Sequence, residues 1–97
     1  YNSAILVMKD EYRYLIRFRK EVTFLNKAAL KANLEKIPDK TAVLIDATKS
    51  EFIDNDIIEL VNDFIVNAET RGIRVYIKYA GGKHREYFHD IEKREIV

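Results

Sequence analysis

IDATKSEFIDNDIIEL, residues 45–60, is the stretch on which the fold turns. Just before and into it, Ala42–Asp46 is an apolar run that ends in a carboxylate, as a short strand would. After Phe52, Ile53 and Asp54, apolar residues recur at helical spacing. The stretch is therefore a strand–loop–helix junction, with acidic and amide side chains where the helix begins. Such a junction gathers polar groups at the carboxyl end of a strand, where open α/β sheets usually place their sites.

Downstream, the spacing predicts a helix over Asn55–Thr70. Ile57, Val61, Phe64, Ile65 and Ala68 form its apolar face, and Glu59, Asn62, Asp63 and Asn67 lie outside that face. Asp56 and Glu59 have capping-box spacing, and Gly72 suits the left-handed residue after the helix. Residues 74–79 alternate, with Val75, Ile77 and Tyr79 inward. Gly81 and Gly82 break the chain, and residues 83–95 read as a weaker helix carrying Tyr87, Phe88 and Ile91. Ile96 and Val97 read as the start of a further strand.

Upstream, residues 3–8 read as a strand. Residues 12–19 alternate, with Tyr14, Ile16 and Phe18 on one face and Arg13, Leu15, Arg17 and Arg19 on the other. A brief strand is expected over residues 22–25. Asn26 is the expected N-cap of a helix reaching Lys36, with Ala29, Leu30, Leu34 and Ile37 on its apolar side. Pro38 stops that helix, because the residue before a proline is pushed out of the α region. Ala42–Asp46, apolar on both faces until its last residue, reads as a central strand covered on both sides. The fold class is therefore α/β: a small mixed β-sheet with helices packed mainly on one face, built on a βαβ core running from Ala42 to Tyr79. The crossover is expected to be right-handed.

Bulk properties narrow the function. Ninety-seven residues make one domain, which can bury roughly 65% of its unfolded surface. The composition, 47% hydrophobic and 11% aromatic, is that of a packed globule. The 17 basic and 16 acidic residues leave a net charge of +1, not the basic surplus of a nucleic-acid binder. There is no cysteine, which excludes disulfide and thiolate chemistry. The longest apolar run, residues 4–8, is far too short to span a bilayer.

Four constellations invite a chemical reading. Asp46, Asp54 and Asp56 are hard oxygen ligands of the kind that hold Mg²⁺ in phosphoacceptor sites. Their structural reading is that Asp54 or Asn55 caps the helix and Asp56 complements its dipole. His84 and His89 are five residues apart, which on a helix places them on different faces, a poor metal pair. Gly81, Gly82 and Lys83 lack the spacing of a phosphate-binding loop and read as a turn. Thr48 and Ser50 sit in the junction loop with no histidine nearby in sequence. No catalytic set emerges, and neither a metal nor a cofactor is expected.

The junction resembles a STAS domain (sulfate transporter and anti-sigma-factor antagonist). That family's pattern is an apolar strand, then D-x-[ST]-G-x-x-[FM]-[IM]-D, then [ST]-[ST]-G-L at the start of a helix. Asp46, Thr48, Phe52, Ile53 and Asp54 fall on it in register, with Lys49 in place of the loop glycine. Residues 17–22 are similar to the family's strand–turn pair, with Glu21 at its frequent acidic position. Arg71, Gly72 and Ile73 match the turn before its next strand. In anti-sigma antagonists, the resemblance implies a serine just after the aspartate that a partner kinase phosphorylates. Asn55 and Asp56 stand there in this chain, and Ile57 replaces the glycine.

The other branch of the family is the cytoplasmic C-terminal domain of SulP-type anion transporters. VTFLNKAALKANL, residues 22–34, and FIDNDI, residues 52–57, resemble bacterial forms of that branch. This resemblance implies a non-catalytic regulatory and interaction domain, on the cytoplasmic side of the inner or plasma membrane. Its partner would be a transmembrane transporter domain upstream of Tyr1, which agrees with a chain that starts without methionine. A homodimer is compatible with it. The docking surface would be the junction: Asp46, Thr48, Ser50, Asp54, Asn55 and Asp56, with a cytoplasmic protein or a nucleotide as its ligand. The alternative is a stand-alone anti-sigma factor antagonist-like switch, with Thr48 or Ser50 as its phosphate acceptor.

Overall fold

The computed structural model describes residues 4–80. The expected turn at Gly81 and Gly82, the helix over 83–95, both histidines and Ile96–Val97 lie outside the described residues, as does Ser3. The chain runs β1 (Ile5–Lys9), β2 (Arg13–Phe18), β3 (Glu21–Val22), a 3₁₀ turn (Phe24–Asn26), α1 (Lys27–Glu35), β4 (Ala42–Asp46), β5 (Phe52–Ile53), α2 (Asn55–Thr70) and β6 (Arg74–Lys78).

Four strands form one sheet in the order β1-β2-β4-β6. β1 is antiparallel to β2, while β2, β4 and β6 are parallel. The sheet is therefore mixed, as expected. The small pair β3–β5 is parallel and stands apart from it. β5 is too short to register in the hydrophobic pattern; only its partner across the chain makes it a strand.

Strand alternation gives the sheet two unlike faces. Ile5, Ile16, Phe18, Val43, Ile45, Val75 and Ile77 are buried against Leu30, Leu34 and Ile37 and against the α2 stripe Ile57, Val61, Phe64, Ile65 and Ala68. The core thus lies between one face of the sheet and the two helices. The opposite face holds Leu15, Leu44 and Tyr76, which are only partly buried and lie outside that core. The expectation that β4 is covered on both sides is therefore corrected. Its burial alternates, because its Val43 and Ile45 meet the helices while Ala42 and Leu44 face the other way.

Three local expectations also change. Residues 22–25 do not continue as a strand, because Thr23 turns the chain. Its hydroxyl accepts from the Leu25 amide at 3.3 Å, and Asn26 Oδ1 accepts from the Thr23 amide at 2.9 Å. Asn26 is the N-cap of α1 by position, as expected, but its side chain completes the cap of the 3₁₀ turn and makes no cap bond to α1. Ala29 is exposed rather than part of the buried face.

The end of α2 is as the sequence indicates. The Ile73 amide donates to the Ala68 carbonyl at 2.9 Å and the Gly72 amide to the Glu69 carbonyl at 3.2 Å, the two bonds of a Schellman motif. Gly72 has φ +66°, and a Cβ there would lie 3.4 Å from Lys40 Cγ. Space is adequate, so the cost of a side chain is conformational. Gly72→Ala is expected to lose about 1–2 kcal/mol, read as a lower urea midpoint at unchanged slope. Arg71 clasps the neighbouring loop, donating to Asp39 Oδ1 at 2.7 Å and to the Ile37 carbonyl. The ends of α1 and α2 are thereby held together.

Candidate functional site

The junction is built around Asp46, the last residue of β4. Its carboxylate is buried, with the side chain 7% exposed. Oδ1 accepts from the Thr48 amide at 2.9 Å and from the Thr48 hydroxyl at 2.6 Å. Oδ2 accepts from Arg17 Nε on β2 at 3.0 Å. Burial pushes the Asp46 carboxyl upward, but the two Thr48 bonds and the Arg17 guanidinium outweigh it and hold it below the ordinary aspartate range. Asp46 is thus an ionised strut that fixes the direction in which the loop leaves the sheet.

The loop is then tied to the segment after β2. The Glu51 and Phe52 amides both donate to the Lys20 carbonyl, at 2.7 and 3.1 Å. Ser50 is buried, and its hydroxyl donates to the Arg19 carbonyl at 2.9 Å. The Asp54 amide donates to the Val22 carbonyl at 2.9 Å. Asp54 is the N-cap of α2 in extended conformation, yet its carboxylate makes no cap bond to its own helix. Instead Oδ2 accepts from the Phe24 amide at 3.1 Å. Asp54 therefore staples the 3₁₀ turn to the helix start. Because the cap lies at Asp54, Asn55 is the first helical residue and Asp56 the second, and the Asp56–Glu59 capping-box spacing is not used.

The candidate residues thus fall into two groups. Asp46, Thr48, Ser50 and Asp54 spend their polar atoms on the frame. Asn55 and Asp56 are exposed on the first turn of α2. Among the described residues no three carboxylate or imidazole groups converge as a metal-binding group would. The Mg²⁺ reading of Asp46, Asp54 and Asp56 therefore lacks the geometry, since Asp46 is occupied by Arg17 and Thr48 while Asp54 faces Phe24. A groove between α1 and α2 is lined by Lys27, Lys31, Glu35, Glu59 and Asp63. Its charges are of both signs.

What the sequence did not reveal is apolar. Phe24, Leu25 and Phe52 are 58%, 79% and 50% exposed. The β3–β5 pairing and the Asp54–Phe24 bond bring these three residues to the helix start. No periodicity separates a buried Phe-Leu pair from an exposed one in a stretch this short.

This arrangement has a counterpart among known families. The profile of the STAS domain matches residues 5–97. The chain belongs to the STAS domain family. No curated relative matches by sequence, but solved structures do. The anti-sigma factor antagonist SpoIIAA, in its unphosphorylated form, superposes with a TM-score of 0.77 at 14% identity, over 96% of this chain and 86% of its own. Two crystal structures of Mglu each give a TM-score of 0.63, at 18% and 14% identity. They match 76% and 78% of this chain but only 19% and 24% of their own length. At such identities the likeness is one of fold. The small mixed sheet with the two described helices has the STAS fold, and Asp46 and Asp54 are the frame of its strand–loop–helix junction. No described helix is long and apolar enough to cross a membrane.

Proposed function

We propose that this STAS domain is a non-catalytic protein-docking module, and that its docking surface is the start of α2 with the apolar residues around it. The observation that carries this reading is the cluster of Phe24, Leu25 and Phe52 beside Asn55 and Asp56, large apolar side chains held in the open by a rigid hydrogen-bonded frame. Exposed aromatic residues on a preorganised support are what protein partners bury most profitably. A nucleotide fits less well. Helix N-termini attract phosphates, but here the Asp54 and Asp56 carboxylates would repel one.

The resemblance of residues 22–34 and 52–57 to SulP-type transporters supports a cytoplasmic regulatory domain of an anion carrier, with the transporter domain upstream of Tyr1. In that setting the chain is a single domain within a longer protein, and a homodimer of carriers would bring two such domains together. The likeness to SpoIIAA supports the alternative equally, a stand-alone antagonist-like protein that binds an anti-sigma factor. In either setting a phosphoswitch at the family's serine position has no hydroxyl to act on. Thr48 and Ser50 spend theirs on Asp46 and on the Arg19 carbonyl.

A photo-crosslinking amino acid placed at Phe52, in cells of the source organism, tests the docking surface. The expected result is an adduct of defined mass from position 52 and none from Val66, an equally exposed apolar residue on α2. Equal adducts from both positions, or none from position 52, would refute the surface. The parental reading frame separates the two settings. The carrier requires about ten or more apolar spans of roughly 20 residues before Tyr1, and the antagonist requires none.

A further inference from the structure

Among the described residues, most Ser and Thr hydroxyls are engaged as donors. Thr41 and Thr70 donate to the carbonyls of Pro38 and Asn67, each at 2.9 Å. Thr48 and Ser50 donate to Asp46 and to the Arg19 carbonyl. Thr23 differs: its hydroxyl accepts from the Leu25 amide at 3.3 Å and, alone in that described set, donates to no protein atom. Thr23 is half-buried, and Phe24 and Leu25 immediately after it are exposed. It therefore sits at the root of the docking surface proposed above, where a partner bound to that surface meets its hydroxyl.

The surroundings of Thr23 can act as a switch. Two acceptors converge on successive amides of the 3₁₀ turn: Thr23 Oγ1 on that of Leu25, and Asp54 Oδ2 on that of Phe24 at 3.1 Å. The Thr23 side chain and the Asp54 carboxylate are thus neighbours, although far apart in sequence. A phosphate on Thr23 would carry a charge of about −1.5 to −2 at neutral pH, set against that carboxylate. Repulsion between like charges then acts on the bond by which Asp54 holds the turn to the start of α2. Asp54 also has an alternative. It is the N-cap of α2, yet its side chain makes no bond to that helix. Released from Phe24, it can accept from the first-turn amides of its own helix. Lys20 and Lys27, the cations nearest in sequence, are exposed and can take up the phosphate without involving Asp54.

We propose that Thr23 is a phosphoacceptor, and that its phosphate releases Asp54 from the Phe24 amide and so disengages Phe24 and Leu25 from the start of α2. This regulation rests on the docking surface proposed above. A Ser/Thr kinase supplies the phosphoryl group from a nucleoside triphosphate. Thr23 Oγ1 attacks the terminal phosphorus; the Oγ1–P bond forms, and the bond from that phosphorus to its bridging oxygen breaks. The hydroxyl proton passes to a base of the kinase, and the nucleoside diphosphate leaves. The family's own serine position cannot serve, since Asn55 and Asp56 stand there.

The test compares the 97-residue chain with the same chain carrying phosphothreonine at position 23, made by chemical synthesis. Asp54→Ala is introduced into both. In the unmodified chain it removes the bond to Phe24 and should lower the urea midpoint. In the phosphorylated chain that bond is already broken and a repulsive neighbour is removed, so the midpoint should fall by less, or rise. An equal or larger fall in the phosphorylated chain would overturn the switch. In a lysate of the source organism, the photo-crosslinked adduct from position 52 should drop at least about tenfold on phosphorylation. An undiminished adduct overturns the switch as well. No adduct from either form refutes the docking surface instead, and the Asp54→Ala comparison then decides the switch by itself. Finally, mass spectrometry of the protein recovered from source cells should place a phosphate on Thr23. Thr23→Asn, which caps at least as well but offers no hydroxyl, should carry none and keep its fold by circular dichroism. Phosphate confined to Thr48 or Ser50, or absent from Thr23 throughout growth, would overturn the assignment.

Discussion

Truncating Phe18 to alanine is expected to cost about 3–5 kcal/mol of folding stability. Phe18 ends β2, is fully buried, and is the bulkiest of the wholly enclosed side chains. It faces the helices from a strand whose neighbours on both sides are hydrogen-bonded to it, so the backbone cannot collapse into the void. A domain of this size is stable by only about 5–15 kcal/mol in total. Phe18→Ala should therefore shift the urea midpoint severely and bring the protein near its unfolding threshold at physiological temperature. A loss below about 1 kcal/mol would show that the burial of Phe18 is not what holds the sheet to the helices. Phe64→Ala, by the same reasoning, should cost less than Phe18→Ala. Phe64 lies at the rim of the groove between α1 and α2, where water can fill part of the space left behind.

Asp46→Asn is expected to cost about 1.5–3 kcal/mol at neutral pH, the range for hydrogen bonds to a charged group. The amide can still accept from Thr48, but its NH₂ would meet the Arg17 Nε–H, so that two donors face each other. Arg17 is partly exposed and can turn to water, which places the loss toward the lower end of that range. The carboxylate also gives the effect a pH signature. Thr48 and Arg17 depress the Asp46 pKa in the folded protein below its unfolded value, so the unfolded chain binds the proton more readily. The stabilisation is complete above about pH 4, the ordinary aspartate value, and is lost as pH falls through the folded-state pKa. Stability measured by urea at neutral pH and at successively lower pH should show the gap between wild type and Asp46→Asn narrowing only below about pH 4. Asp10, also depressed by its bonds to Arg13 and Tyr12, is present in both proteins and cancels from the comparison. A gap that is constant across the acid range would mean that Asp46 is not the ionised strut of the junction.

These two residues mark how far the sequence could be read. Phe18 was placed correctly because alternation along β2 is a local signal; its partners on the same face recur every second residue. The stripe of α2 and the left-handed Gly72 were legible for the same reason, since helical period and a terminal glycine are properties of consecutive residues. Asp46 was found through the junction pattern, and its partner Thr48 lies two residues away. Arg17, its other partner, was read only as a charged residue on the outer face of a strand. The distance in sequence, 29 residues, hid the contact.

Asn26 and Asp54 show the opposite case. Both are good cap residues, and each lies at a helix start. Asn26 turned back to Thr23, and Asp54 turned across to the Phe24 amide. Capping propensity states that a side chain can satisfy an amide, not which amide is nearest once two loops are brought together. The exposure of Phe24, Leu25 and Phe52 was not legible for a related reason. Their hydrophobicity is a fact of composition, but their exposure depends on the pairing of two-residue strands that carry no periodicity of their own.

The amino-acid sequence by itself determined the order of the principal elements, the helix-facing side of the sheet, the end of α2 and the family's strand–loop–helix junction. Each rests on interactions between residues close along the chain, or on periodicities of 2 and 3.6 that any neighbour would reveal. Only the tertiary structure decided that Leu15, Leu44 and Tyr76 on the sheet face away from α1 and α2 are half-buried, that Asp46 and Asp54 are struts, and that three apolar side chains stand exposed beside the helix start. Those outcomes depend on which distant segments meet, and the free energy of such meetings belongs to the packed molecule and to no single stretch of it.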